Sequence, residues 1–173
     1  MNLFKAKAIA NKYKAMLEPY CDRIEIAGSI RRQCKDVGDI ELVAIPKIVS
    51  VQEGLFDSVP QRHPAFIKII NSLEKVKGDP TGKYTQRILP EGIKLDLFMV
   101  NKDNWGYHFA IRTGPAEFSH KVLAKGWTAK GYHGRDGILH DECGKPTPIK
   151  EEKDLFKLID IYYIEPEKRE FAI

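Results

Sequence analysis

Two carboxylates, Asp39 and Glu41, stand two residues apart in the run Asp39-Ile40-Glu41-Leu42-Val43-Ala44-Ile45. In a strand that spacing puts both acids on one face, while Ile40 and Leu42 point the other way into a core. A third acid, Asp96, interrupts another apolar strand, in which Leu95, Leu97 and Met99 alternate with Lys94, Asp96 and Phe98. Burying a carboxylate is costly unless it is paired or metal-bound; for Asp96 taken alone, an exposed sheet edge is the alternative. Three hard-oxygen donors suit Mg²⁺, which keeps several waters and needs only a few carboxylates plus substrate phosphates. Before the first pair lies Gly28-Ser29, followed by Arg31 and Arg32. Gly28 allows close backbone approach, and Ser29 is a natural N-cap whose free amides attract phosphate. The Arg32 guanidinium and the Ser29 hydroxyl can both grip phosphate oxygens. A Gly-Ser turn alone is common. With three acids beside it, it carries the parts that metal-assisted phosphoryl or nucleotidyl transfer requires.

The elements that position these groups follow from periodicity and breakers. Residues 3–18 form an amphipathic helix with Ile9, Tyr13, Met16 and Leu17 on one face, and Pro19 ends it. Its lysines are read as a solvated face rather than a nucleic-acid contact. Ile24 to Ala27 is a short strand, and Asp39 to Ile45 is a central one closed by Pro46. Residues 47–63 have no clear period and are expected to be a surface excursion. Pro64 opens a helix carrying Phe66, Ile69, Ile70 and Leu73, which ends by Gly78-Asp79-Pro80. A hairpin follows, Lys83 to Leu89 and Ile93 to Val100, turning at Pro90-Glu91-Gly92. Trp105 to Arg112 is a helix broken by Thr113-Gly114, and Pro115 starts another that runs to Ala124 and stops at Gly126. Beyond Trp127 a glycine-rich, hairpin-containing stretch closes with a helix from Glu151 to Ile159. The fold class expected is α+β: a mixed β-sheet with flanking helices, residues 1–112, then a small α/β unit, residues 113–173.

Composition narrows the partner. The chain has 173 residues, 43% hydrophobic and 30% charged, with a net charge of +4. That describes a soluble globular protein with a mild preference for anionic partners. Its three cysteines, Cys21, Cys34 and Cys143, form no C-x-x-C pair and are expected to be reduced inside the cell, so the location expected is cytoplasmic. No apolar run approaches the ~20 residues needed to span a bilayer, so no membrane partner is expected. His133, His140 and Cys143 lie close in sequence but lack zinc-type spacing and are read as incidental. Trp105 and Trp127 are read as packing rather than base-stacking residues.

At these residues the chain resembles a known family. Gly28-Ser29, then Asp39-Ile40-Glu41, is similar to the nucleotidyltransferase signature of DNA polymerase beta. Gly28-Ser29-Ile30-Arg31-Arg32 and Val37-Gly38-Asp39 resemble the catalytic palm of family X DNA polymerases. Lys94-Leu95-Asp96-Leu97 resembles the strand of the third carboxylate. Thr113-Gly114-Pro115 with Phe118 resembles the turn that opens the helix at the nascent base pair. Glu152-Lys153-Asp154-Leu155-Phe156 and Tyr163-Ile164-Glu165-Pro166 resemble the C-terminal signature. These blocks are collinear over nearly the whole chain. The resemblance implies that 1–112 is a palm and 113–173 a thumb-like unit. It implies that Asp39, Glu41 and Asp96 ligate two Mg²⁺ (or Mn²⁺) ions, with Asp96 as base for a primer 3′-hydroxyl. It gives Gly28, Ser29, Arg32 and Gly38 to the triphosphate and Thr113 and Gly114 to the sugar; Lys94, Arg112, Ser119 and His120 are the expected DNA contacts. The partners implied are dNTP and primer–template or gapped DNA, bound by a monomer, with a repair or gap-filling role.

The departures are informative. Glu41 stands where the family's polymerases usually have Asp, and a carboxylate displaced by an ångström can cost ~10²-fold in rate. Ile111 and Arg112 replace residues that are often aromatic and police the sugar. Ser119 and Leu123 stand where relatives read the nascent pair, so modest fidelity is expected. Only one helix precedes the palm blocks, so neither lyase activity nor a strong grip on gapped DNA is expected. Template-independent nucleotidyl transfer and non-catalytic nucleic-acid binding are the alternatives.

Overall fold

The structure is a computed structural model that describes residues 1–53 and 57–172. Helix α1, Leu3–Leu17, starts at Asn2, whose side chain accepts from the Lys5 amide. Strand β1, Cys21–Ile26, leads through Ala27 into α2, the single turn Gly28–Arg31, and then to β2, Asp39–Pro46. Strands β3, Ile48–Glu53, and β4, Asp57–Arg62, precede α3, Pro64–Asn71. Next come β5, Glu74–Gly78, β6, Tyr84–Ile88, and β7, Lys94–Met99. Helix α4, Trp105–Thr113, is followed by α5, Ala116–Phe118, a π-helical stretch Ser119–Ala124, and α6, Lys125–Ala129. The chain closes with β8, His133–Arg135, β9, Ile138–His140, β10, Pro146–Thr147, and α7, Glu152–Leu158.

The main sheet has the order β1-β2-β7-β6-β5, with β2 and β7 parallel and the other pairs antiparallel. The expected α+β class with a mixed sheet is therefore present. One sheet face, with Ile24, Ile40, Leu42, Leu95 and Leu97, packs under α1 and α3 in the largest apolar cluster. The other face carries Val43, Ile45 and Phe98 and meets Trp105 and Phe109 of α4. Tyr107 and Ala110 of the same helix join Phe118, Trp127, Leu155 and Phe156 in the C-terminal cluster. Helix α4 thus belongs to two cores and ties the C-terminal elements to the sheet. Both tryptophans are buried, as their packing role requires.

Three elements differ from expectation. The stretch 47–63 is not an aperiodic excursion: its described residues pair as an antiparallel ribbon, β3 with β4, while 54–56 lie outside the described residues. Exposed Ile48 breaks the apolar alternation there, and Pro60 is tolerated because the ribbon is only two-stranded. Strand β5 was hidden because Glu-Lys-Val-Lys-Gly is exposed throughout and gains its conformation from pairing with β6. Gly126 does not end its helix, which continues to Ala129. A Cβ on Gly126 would stand 3.0 Å from the Ile159 Cβ, so the glycine allows close packing rather than termination.

Candidate functional site

Register brings the three acids together. Parallel pairing sets Glu41 opposite Asp96 and Asp39 opposite Lys94. Ile40 and Leu42 are fully buried on the opposite face, which fixes the acids' side by the pleat. Asp96 is 7% exposed on a strand paired on both sides, so it is not an edge residue.

Turn α2 lies directly against Glu41. Gly28 has φ of 61°, and a Cβ there would stand 1.9 Å from Glu41 Oε2. The carboxylate therefore occupies space that any other residue at 28 would fill, which accommodates the longer reach of Glu over Asp. Next to it, the Ser29 hydroxyl oxygen is buried and has no hydrogen-bond partner. An orphaned buried hydroxyl is uncommon in a folded protein.

The two arginines after Ser29 divide their roles. Arg31 donates to Thr113 Oγ1 at 2.6 Å and makes a two-pronged contact with Glu152, at 2.9 and 2.7 Å. Arg32 donates through Nε to Glu170 Oε1 at 2.6 Å and through a terminal nitrogen to the Thr113 carbonyl at 2.7 Å. Both arginines thus anchor Thr113, the last residue of α4, and Gly114 caps that helix. Arg112 lays its guanidinium over the Phe98 ring, 4.0 Å from the centroid, and its buried Nε has no partner. Gly38 and Lys94 are exposed at the open end of β2 and β7. Ser119 donates to the Ile111 carbonyl, so its hydroxyl serves the helix, and His120 is exposed on a shallow groove with Lys121 and Lys125.

A cleft of about 1150 Å³ runs along the acid face from Glu41 and Asp96 past Arg62, Lys77, Lys83 and Lys102. Two groups that sequence reasoning missed sit there. The Tyr84 hydroxyl and the Gln86 amide both donate to Asp96 Oδ1, the latter at 2.7 Å. Their signal was available: they are the alternate residues of the strand facing Asp96. Glu170, 138 residues from Arg32 along the chain, gave no such signal.

Like charge and burial dominate the electrostatics. Burial first, and then the charges of Asp39 and Asp96, push the Glu41 carboxyl up to about 7. Burial and Asp96 likewise raise Asp39 above the usual carboxylate range. Such a donor set, all carboxylate and mutually repelling, is the chemistry that a hard divalent cation relieves. Among the described residues no group of three or more acid, histidine or cysteine side chains is placed to hold a metal ion as it stands, and Asp96 Oδ1 accepts from Gln86. As donor types, carboxylate oxygens are those that Mg²⁺ or Mn²⁺ takes. His133 faces His140 across β8 and β9, and Cys143 is exposed beyond them.

The raised Glu41 has a stability consequence in the metal-free protein. The folded state holds this proton more tightly than the unfolded chain, whose value is near the ordinary 4.5. Its contribution is fully present below that pH and is lost as pH rises through about 7. Denaturation midpoints of wild type and Glu41→Gln across this range should diverge, the variant gaining on wild type as pH rises. Parallel curves would contradict the assignment.

Among the described residues no helix is long and apolar enough to cross a membrane. No family description matches the chain. Its fold is similar to that of polymerase beta from Leishmania infantum, solved as a ternary P/T complex, with a TM-score of 0.69 and 17% identity. The match covers 98% of this chain and 76% of the other. The α+β arrangement is thus similar to that of this polymerase beta.

Proposed function

We propose that this protein is a small DNA polymerase that transfers a deoxynucleoside monophosphate from dNTP to a DNA 3′-hydroxyl. The observation that carries the reading is the union on one sheet face of Asp39, Glu41 and Asp96 beside the orphaned Ser29 hydroxyl. The likeness to a polymerase beta in a ternary P/T complex supports primer–template and dNTP as its partners. Residues 1–112 would serve as the palm and 113–173 as the unit that receives the nascent base pair. Two Mg²⁺ or Mn²⁺ ions held by Asp39, Glu41 and Asp96 would supply charge neutralisation and activation of the attacking hydroxyl.

The chain's own groups have separable tasks. Ser29 donates its free hydroxyl to a triphosphate oxygen. Arg32 and Gly38 also bind the triphosphate, Arg32 through the guanidinium edge that Glu170 now occupies. Thr113, held by Arg31 and Arg32, and Gly114 after it support the sugar. Asp96 accepts the proton of the primer hydroxyl. The cationic wall of the cleft, with Lys77 and Lys83, follows the DNA backbone.

Primer extension tests this reading. Purified protein with Mg²⁺ or Mn²⁺ is given each dNTP separately on gapped, nicked, primer–template and single-stranded DNA. The expected result is insertion directed by the template base. Equal addition of all four nucleotides to single strands would replace templated by untemplated transfer, and no metal-dependent incorporation on any substrate would leave a binding module.

A further inference from the structure

Asp96 is held from one side by two donors aimed at the same atom. Strand β6 pairs antiparallel with β7, placing Gln86 directly opposite Asp96 and Tyr84 opposite Phe98. Both side chains therefore project onto the acid face, one residue pair apart. The Tyr84 hydroxyl and the Gln86 amide nitrogen converge on Oδ1 of Asp96. Oδ2 receives neither donor.

Tyr84 is itself fixed on several sides. Its ring stacks on Phe98 with centroids 5.0 Å apart. The Lys77 ammonium lies 5.3 Å from the Tyr84 ring centroid. Phe98 carries the Arg112 guanidinium on its ring at 4.0 Å. A continuous stack thus runs from Arg112 at the end of α4, through Phe98 and Tyr84, to the carboxylate. A terminal carboxylate torsion is broad and roughly two-fold, so an untethered Asp would present either oxygen. Two charge-assisted hydrogen bonds to one oxygen remove that freedom.

The geometry points to Tyr84 and Gln86 as positioning residues: they commit Oδ1 of Asp96 and so reserve Oδ2 for a divalent cation or for the proton of the attacking hydroxyl. This rests on the nucleotidyl-transfer reading above. The pair touches neither nucleotide nor reacting atoms and acts through Asp96. The contrary role, a clasp that withholds Asp96 until it is pulled away, uses the same contacts and gives the opposite result.

Tyr84→Phe deletes one donor and keeps the stack on Phe98 and Lys77, so the fold is retained. Gln86→Met deletes the other at similar volume. Two readouts are taken on each variant: single-nucleotide incorporation on primer–template DNA, and binding of Mn²⁺ alone to the free protein, followed through the signal of unbound Mn²⁺. Positioning predicts that kcat falls about tenfold in Tyr84→Phe, with KM for dNTP within about twofold. It also predicts that Mn²⁺ binds at least about threefold more weakly, and that the double variant is worse than either single one. Unchanged kcat and Mn²⁺ affinity, or tighter Mn²⁺ binding with a faster rate, overturns the proposal while leaving nucleotidyl transfer standing. Wild-type protein that neither incorporates nucleotide nor binds Mn²⁺ overturns the parent reading instead, and this one with it.

Discussion

Replacing Asp96 by alanine is expected to abolish metal-dependent incorporation and to leave the fold intact. The expected loss is at least ~10²-fold, the lower end for removing a general base, with a missing cation ligand adding to it. Stability is expected to hold because Asp96 raises the proton affinity of both Asp39 and Glu41, so its removal relieves repulsion in the metal-free protein. The residues left without an acceptor, Tyr84 and Gln86, are only half-buried, and water can reach them. Asp96→Asn separates charge from shape. Its amide oxygen can still accept from Tyr84 and Gln86, so the local hydrogen bonds survive while the negative charge is lost. Both variants should be equally inactive in primer extension and should melt close to wild type. Substantial incorporation by either one removes Asp96 from the chemistry and with it the central claim about this face.

Ser119 gives the contrast. It stands where relatives read the nascent pair and is expected near DNA, but its hydroxyl donates to the Ile111 carbonyl one helical stretch back. That bond explains the residue by local structure, and nothing in its geometry favours a contact with a base. Arg112 is a stronger candidate for substrate contact. Its Nε is buried without a partner, its guanidinium stacks on Phe98, and it faces Glu41 closely enough to hold that carboxyl down against its other neighbours.

What was legible in the sequence follows the physics of period and spacing. The alternation in Asp39–Ile45 and Lys94–Met99 fixed which faces the acids share, because a strand offers only two. Pro64, Gly114 and Pro19 marked helix boundaries through backbone chemistry that acts locally. Strand β5 and the β3–β4 ribbon were not legible because their order comes from pairing rather than from an apolar face. Gly126 was misread because a glycine that admits a neighbouring helix looks, in sequence, like one that ends its own. Within the site, Gly28 could be recognised as special but not why: only the fold places Glu41 Oε2 where its Cβ would be. The carboxylate partners of Arg31 and Arg32 lie more than a hundred residues away along the chain, at Glu152 and Glu170. No local pattern encodes such a contact. Arg31 and Arg32, adjacent and chemically identical, end up in different roles solely because different C-terminal carboxylates meet them.

The ion network around Glu152 is where the largest stability loss is expected. Glu152 is 7% exposed at its side chain and pairs with Arg31 and with Arg169, whose side chain is 0% exposed. Burial alone would raise its proton affinity, but hydrogen bonds from Arg31 and Arg169 outweigh that and hold the carboxyl below its usual range. Arg169 Nε and Nη2 donate to the Ile164 carbonyl, and its guanidinium lies against Phe118, Phe156 and Tyr163. Glu152→Gln keeps the shape and removes the charge, so a fully buried guanidinium loses its counter-ion. Breaking a buried pair in this way costs about 3–5 kcal/mol. The neighbouring Glu151 supplies the internal control. It also pairs with an arginine, Arg23, at 2.7 Å, but the two side chains are 36% and 58% exposed. An ion pair of that kind contributes at most about 1 kcal/mol. Urea midpoints should therefore fall far more for Glu152→Gln than for Glu151→Gln, although the two substitutions are chemically the same and adjacent. The sign with pH is also fixed: because the folded carboxyl is depressed, its stabilisation is present above the ordinary value of 4.5 and is lost as pH falls through the lower folded value. Equal midpoints for the two variants would mean that the C-terminal elements are held by their apolar cluster alone and that the network contributes nothing to the placement of Thr113.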